Sequence, residues 1–181
     1  MQVPNHLQKS RLVMHPTLAT HRLKLVPVAA DDAGFVASML AMLAAEPGEV
    51  WRQPIEAVMQ DHRDTMSMTA LWRIVTAEDA TAGVIGLSMP RIAVGQLRAI
   101  GWRSLEMTVT MAPRHRRRGL ASEAIDALVH HALSDGVTFA VLAAVAASNE
   151  AGHALVRRSR FEELGRVAGS VEPIVVYERA G

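Results

Sequence analysis

A chain of 181 residues fits one domain and is long enough to bury a core without metal or disulfide support. Half of its residues are hydrophobic and a fifth are charged, the balance of a soluble globular protein. Nineteen basic residues against 18 acidic ones leave a net charge of +1, so no whole-molecule field draws in a polyanion, and the lack of cysteine excludes disulfides, thiolate metal sites and a thiol nucleophile.

Residues 1–16 carry two prolines and no clear period, and are expected to form an irregular arm ahead of a single domain spanning 17–181. No continuous apolar stretch of the secretory kind stands in this segment. The longest apolar run, Phe139 to Ala147, is about half of what a membrane-spanning helix needs. A cytoplasmic protein is the expectation.

From Thr20, "THRLKLVPV" alternates Leu23 and Leu25 with polar neighbours, the period of a half-buried strand that Pro27 ends or confines to an edge. "ADDAGFVASMLAMLAA" offers Asp31 or Asp32 as a cap and an apolar stripe through Phe35, Met39, Met42 and Leu43, which predicts a helix. A second helix is expected in "PIEAVMQDHRDTM". "LWRIVTAEDATAGVIGLSM" then reads as a hairpin, with Gly83 and Gly86 weakening its second strand unless another backbone approaches closely.

"RSLEMTVTMAP" alternates again and stops at Pro113. The arginine-rich "RHRRRG" follows, and Leu120 to Leu133 then places Ala121, Ala124, Ile125, Leu128 and Ala132 on one helical face, with Gly136 as its stop. "VTFAVLAAVAA" is apolar throughout, as a central strand covered on both faces would be. "NEAGHALVRRSRF" predicts a short helix and "SVEPIVVYERA" a last strand. Together these elements predict an α/β fold, one mixed sheet with helices on both faces.

The arginine segment has three readings: a solvated charge run, a nucleic-acid patch, or a phosphate cradle. Strand, basic loop, Gly119 and helix in that order favour the cradle. The first amides of a helix have no internal partner and sit at the positive end of its dipole, and glycine lets a ligand approach the backbone. A nucleic-acid binder should show a larger positive excess and aromatics among its arginines, and neither is present.

"RRRGLA", Arg116 to Ala121, resembles the acetyl-CoA diphosphate loop of the GNAT superfamily of N-acetyltransferases. Within it the chain is similar to the group of ribosomal-protein alanine acetyltransferases RimJ and RimL, on "THRLKLVPVAADDA", "GVIGLSM", Glu106, Pro113, the Glu123–Ala124 pair and the stretch from Asn149 to Phe161. The resemblance covers roughly Thr20 to Arg179. It implies a GNAT-like domain that transfers acetyl from acetyl-CoA to a primary amine, either a protein N-terminus or a small molecule. Two parallel strands, one through Val109 to Met111 and one through Val141 to Val145, would splay to admit the pantetheine arm.

By the same resemblance Thr110 and Met111 would lie against that arm, and Arg116, Arg117, Arg118, Gly119, Leu120, Ala121 and Ser122 would hold the diphosphate. Asn149 would touch the cofactor beyond the second strand. Glu106 stands where the family places the carboxylate that deprotonates the amine. No metal, nucleic acid or membrane partner is implied, and a homodimer is left open. The chain departs from the family pattern at Thr108 and Val109, where Gly-Tyr is common, at Gly152 in place of serine, and at Arg160 before Phe161. A proton donor for the leaving thiolate is therefore unassigned, with His153, Ser148 and solvent as candidates; Tyr177, the only tyrosine, lies far along the chain. A catalytically silent acetyl-CoA binder is the alternative within the same fold.

His130 and His131 are adjacent on the predicted helix and point about 100° apart, which suits a surface pair better than a metal site. The tryptophans and the many methionines are expected to fill core.

Overall fold

A computed structural model describes residues 15–28, 70–88, 90, 104–134, 136–169 and 171–181. Its strands are β1 (Leu18–Ala19), β2 (Leu23–Pro27), β3 (Ala70–Thr76), β4 (Thr81–Ser88), β5 (Ser104–Met111), β6 (Ala140–Ala146), β7 (Glu162–Val167) and β8 (Ile174–Ala180). Two helices, α1 (Leu120–Leu133) and α2 (Glu150–Arg158), separate β5 from β6 and β6 from β7. The strands form one mixed sheet in the order β1-β2-β3-β4-β5-β6-β8-β7. Only β5 and β6 run parallel; every other neighbour pair is antiparallel.

Cross-strand register sets the face that α1 covers. Leu25, Ile74, Gly83 and Met111 stand opposite one another across β2 to β5, and Pro27, Trp72, Ile85 and Val109 form the next row. Trp72 is fully buried and meets His131 of α1 edge-on, ring centroids 6.2 Å apart. The helix contributes Leu120, Ala124, Ile125, Leu128, Val129 and Ala132, the i, i+4, i+8 stripe that an amphipathic helix buries. At the other end of the sheet Asp126 of α1 bonds Arg179 of β8 at 2.6 Å, and His153 of α2 bonds Tyr177 of β8 at 2.8 Å. Both described helices thus pack on one face. The helices expected in 30–45 and 54–66 lie outside the described residues, as do Trp51, Trp102 and most of the methionines.

The strands through Leu23, the hairpin, the strand ending before Pro113, the helix at Leu120–Leu133, the central alanine-rich strand and the last strand all form as the sequence predicts. Val137 and Phe139 are exceptions: both are exposed, and β6 starts only at Ala140. Two strands were not expected. β1 is two residues long, and β7 reads "EELGRV", a polar segment at the sheet edge with a register shift between Glu163 and Gly165. Its one neighbour, β8, supplies the pairing that its own pattern does not advertise.

Gly83 shows why the second hairpin strand tolerates glycine. A Cβ there would sit 2.2 Å from the Thr110 carbonyl oxygen of β5. Gly83→Ala should therefore destabilise the fold by about 2 kcal/mol, read as a lower urea midpoint; an unchanged midpoint would contradict the close strand approach.

Candidate active site

β5 and β6 pair only at Ser104–Ala140, Leu105–Val141 and Glu106–Leu142. Beyond that β5 continues to Met111 beside β4, and β6 continues to Ala146 beside β8, without pairing with each other. The result is a fork in the sheet. Because the Ala112 N–H donates to the Ala82 carbonyl, the alternation of an antiparallel ladder turns the main-chain groups of Met107, Val109 and Met111 toward the fork.

The arginine segment closes the open end. A single 3₁₀ turn at Pro113–His115 leads out of β5, Arg117 adopts a left-handed conformation with φ 57°, and Gly119, with φ 75°, is the N-cap of α1. Glycine suits that conformation, and a Cβ there would stand 3.4 Å from Arg22 Nη2, so the residue keeps that side chain close to the helix start. No side chain caps α1, so the leading amides at Leu120, Ala121 and Ser122 keep the positive end of the helix dipole available to an anion.

The arginines are not simply a fan of free charge. Arg116 turns back, and its Nε donates to the Met111 carbonyl at 3.0 Å. The Arg118 carbonyl accepts from Arg22 Nη1 at 3.0 Å. Arg22 also donates to Glu123 of α1 through its backbone N–H at 2.8 Å and through Nε at 2.7 Å, and Thr20 Oγ1 donates to the same carboxylate at 2.6 Å. Burial works to raise the Glu123 carboxyl, but these hydrogen bonds and the Arg22 charge outweigh it and hold the group below its ordinary value. Nothing in the chain order joins these segments: the Thr-x-Arg of Thr20 and Arg22 stands about a hundred residues from the first-turn Glu123.

Glu106 occupies the last paired rung, where the fork begins, beside Leu142 of β6 and opposite Ser88 of β4. Thr110 and Met111 lie at the wide end of β5 and are both buried. Asn149 stands across the fork, just beyond β6, as the N-cap of α2: its Oδ1 accepts from the Gly152 N–H at 2.9 Å. A Cβ at residue 152 would lie 2.8 Å from Asn149 Nδ2 and 2.9 Å from Val145 Cγ1, so this packing has no room for the serine the family often carries there.

A family model described as an acetyltransferase (GNAT) domain matches residues 22–162. The chain belongs to the GNAT acetyltransferases. No curated protein matches it by sequence. Among solved structures, a protein assigned to the GnaT family from Bordetella pertussis superposes with a TM-score of 0.69 at 23% identity, over 92% of this chain and 100% of that one. The spermidine N-acetyltransferase of Vibrio cholerae, in complex with CoA and spermine, superposes with a TM-score of 0.61 at 17% identity, over 89% and 96% of the two chains. A ribosomal-protein alanine acetyltransferase from Vibrio fischeri does so with 0.66 at 12%, over 92% and 97%.

This GNAT chain is accordingly an acyltransferase, and acetyl-CoA is the co-substrate of its family. The residues present fit that group. An uncapped helix N-terminus behind a left-handed glycine suits a diphosphate, and a strand edge that β6 does not pair beyond Glu106 suits the amides of an extended pantetheine chain.

The candidates for protonating a thiolate are already engaged. Ser148 Oγ donates to Glu172 at 2.8 Å. His153 Nδ1 lies 2.8 Å from the Tyr177 hydroxyl and its Nε2 3.2 Å from the Ala147 carbonyl. Folding therefore brings the only tyrosine of the chain to α2, although it is 24 residues away in sequence. His131 packs against Trp72 while His130 is exposed, so the two point apart as their adjacency implies.

His115 sits beneath the loop, buried, with Nε2 accepting from Arg114 Nε at 3.1 Å and Nδ1 without a partner. Burial, then the charges of Arg114 and Arg118, push its pKa below the ordinary value of 6.5. The sign follows from linkage: as pH falls below about 6.5 the unfolded chain takes up a proton that the folded chain resists, so stability falls with it, by at most about 1.4 kcal/mol per pH unit. Wild type should lose more stability between pH 7.5 and 5.5 than His115→Asn does in urea titrations; equal losses would show that His115 titrates normally.

Proposed function

We propose that this protein transfers the acetyl group of acetyl-CoA to a primary amine, a protein N-terminus or a small amine, in the manner of the RimJ/RimL group. Residues 17–181 act as one catalytic domain, and the cytoplasm is the proposed setting; no described helix is long and apolar enough to cross a membrane. The observation that carries the reading is the fork between β5 and β6 opening onto the uncapped start of α1. Spermidine and a ribosomal protein, acceptors named for structural neighbours, are both amines, and this supports the acceptor class.

The amides from Arg117 to Ser122 hold the diphosphate, with the Arg116–Arg118 side chains adding positive charge around it. Thr110 and the main chain of Met111 line the arm, and Asn149 Nδ2 reaches it from the far side of the fork while Oδ1 caps α2. From Met111 to Glu106 the strand covers about 17 Å, a length that an extended pantetheine chain can follow. Acetyl-CoA supplies an acetyl group already activated as a thioester.

The chain's own residues supply the rest. An ammonium has no lone pair to attack with, and Glu106 at the apex accepts its proton, directly or through one water. Main-chain amides on the β5 side of the fork donate to the acetyl carbonyl where negative charge develops. Solvent returns a proton to the thiolate, since Ser148 and His153 are committed to Glu172 and to Tyr177 with Ala147.

Acetyl-CoA should raise the melting temperature of the wild type, and free thiol should appear when an amine panel is added. Glu106→Gln should keep the thermal shift and lower kcat by about a hundredfold. No thermal shift at millimolar acetyl-CoA would overturn the proposal, and a shift without thiol release would mark a silent binder.

A further inference from the structure

We infer that Arg22 and Glu123 are positioning residues for acetyl-CoA: their ion pair fixes the diphosphate loop. The inference rests on the acetyl-CoA reading above. Arg22 precedes β2, and β2 is registered against β3 along its whole length, so the guanidinium projects from a fixed edge of the sheet. It spans two targets, the Glu123 carboxylate in the first turn of α1 and the Arg118 carbonyl.

That carbonyl lies between the two left-handed residues of the loop, Arg117 and Gly119. A non-glycine residue at positive φ persists only where its surroundings over-determine it. Here the surroundings are the Arg22 bond on one side and the Arg116–Met111 bond on the other. Thr20 completes the clamp: Oγ1 donates to Glu123 and accepts from the Leu23 N–H.

Charge makes the arrangement informative. A bare carboxylate in the first turn of α1 would repel a diphosphate held at Leu120 to Ser122. Glu123 is instead surrounded by donors and faces Arg22 at 2.7 Å, with a side chain only 18% exposed. Its negative charge is directed at the clamp and away from the ligand.

Glu123→Gln separates this role from simple electrostatics. Removing a negative charge beside an anion site should tighten binding if charge alone matters. Loss of the clamp should weaken it, because the Arg118 carbonyl and the amides after it lose their fixed position. We expect Glu123→Gln and Arg22→Met each to raise the Kd of coenzyme A by calorimetry, and the KM of acetyl-CoA, about tenfold. The amine KM should not move, and kcat at saturating acetyl-CoA should stay within about threefold. The double variant should bind about as weakly as the weaker single, since both break the Arg22–Glu123 link through which the clamp acts.

Tighter or unchanged coenzyme A binding by Glu123→Gln, in a variant with wild-type circular dichroism, would overturn the inference. So would equal losses in kcat and in the KM of both substrates. If Glu123→Gln does not fold, Thr20→Val removes one donor and retains the ion pair; a smaller rise in Kd supports the clamp and no rise sinks it. A wild type that fails to bind coenzyme A would reject the acetyl-CoA reading itself, whereas a binding wild type with indifferent variants rejects only the clamp.

Discussion

Backbone groups at a strand edge must find partners, and between β5 and β6 this sheet withholds them. On the outer sides β5 pairs with β4 from Glu106 to Met111 and β6 pairs with β8 along its whole length, while only three rungs join β5 and β6 to each other. The sheet is therefore two pieces, β1 to β5 and β6-β8-β7, hinged at Ser104–Glu106. Helix α1 lies across both. It meets the first piece through Trp72 and the second through Arg179, so one amphipathic element holds the wedge at a fixed opening. The polar edge that β6 does not pair is where the proposed pantetheine arm would lie.

The loop at the mouth of the wedge follows the same logic. The anion site proposed there relies on main-chain amides, and several charged side chains around it serve as struts. Arg116 returns to the end of β5, Arg22 ties the loop to the sheet edge, and Glu123 anchors Arg22. A net charge of only +1 is compatible with such a site because the field that matters is local, built from a helix terminus and a few oriented groups. At α2 the main chain is likewise held by a side chain, with Asn149 Oδ1 accepting from the Gly152 N–H.

Much of this fold was legible beforehand because hydrophobic period and breakers agreed. Leu23 and Leu25 alternate, Leu120 to Leu133 repeats its apolar stripe, and Pro113 and Gly119 punctuate the segment between strand and helix. β7 was illegible for a physical reason: an edge strand needs no two-sided apolar pattern, and its conformation is imposed by β8. The reach of β6 was overstated because Val137 and Phe139 continue the apolar run yet stand in solvent, which composition does not reveal.

What the sequence determined by itself was local: which segments extend or coil, where a basic loop must meet a helix start, and the kinship that "RRRGLA" with Glu106 and Asn149 carries. Periodicity and backbone chemistry act over a few residues, so they can be read in order along the chain. Only the tertiary structure decided that Thr20 and Arg22 close on Glu123, that Tyr177 reaches His153, and that β5 leaves β6 after Glu106. These depend on strand register and helix placement, which join segments distant in sequence and are fixed only when the whole core packs.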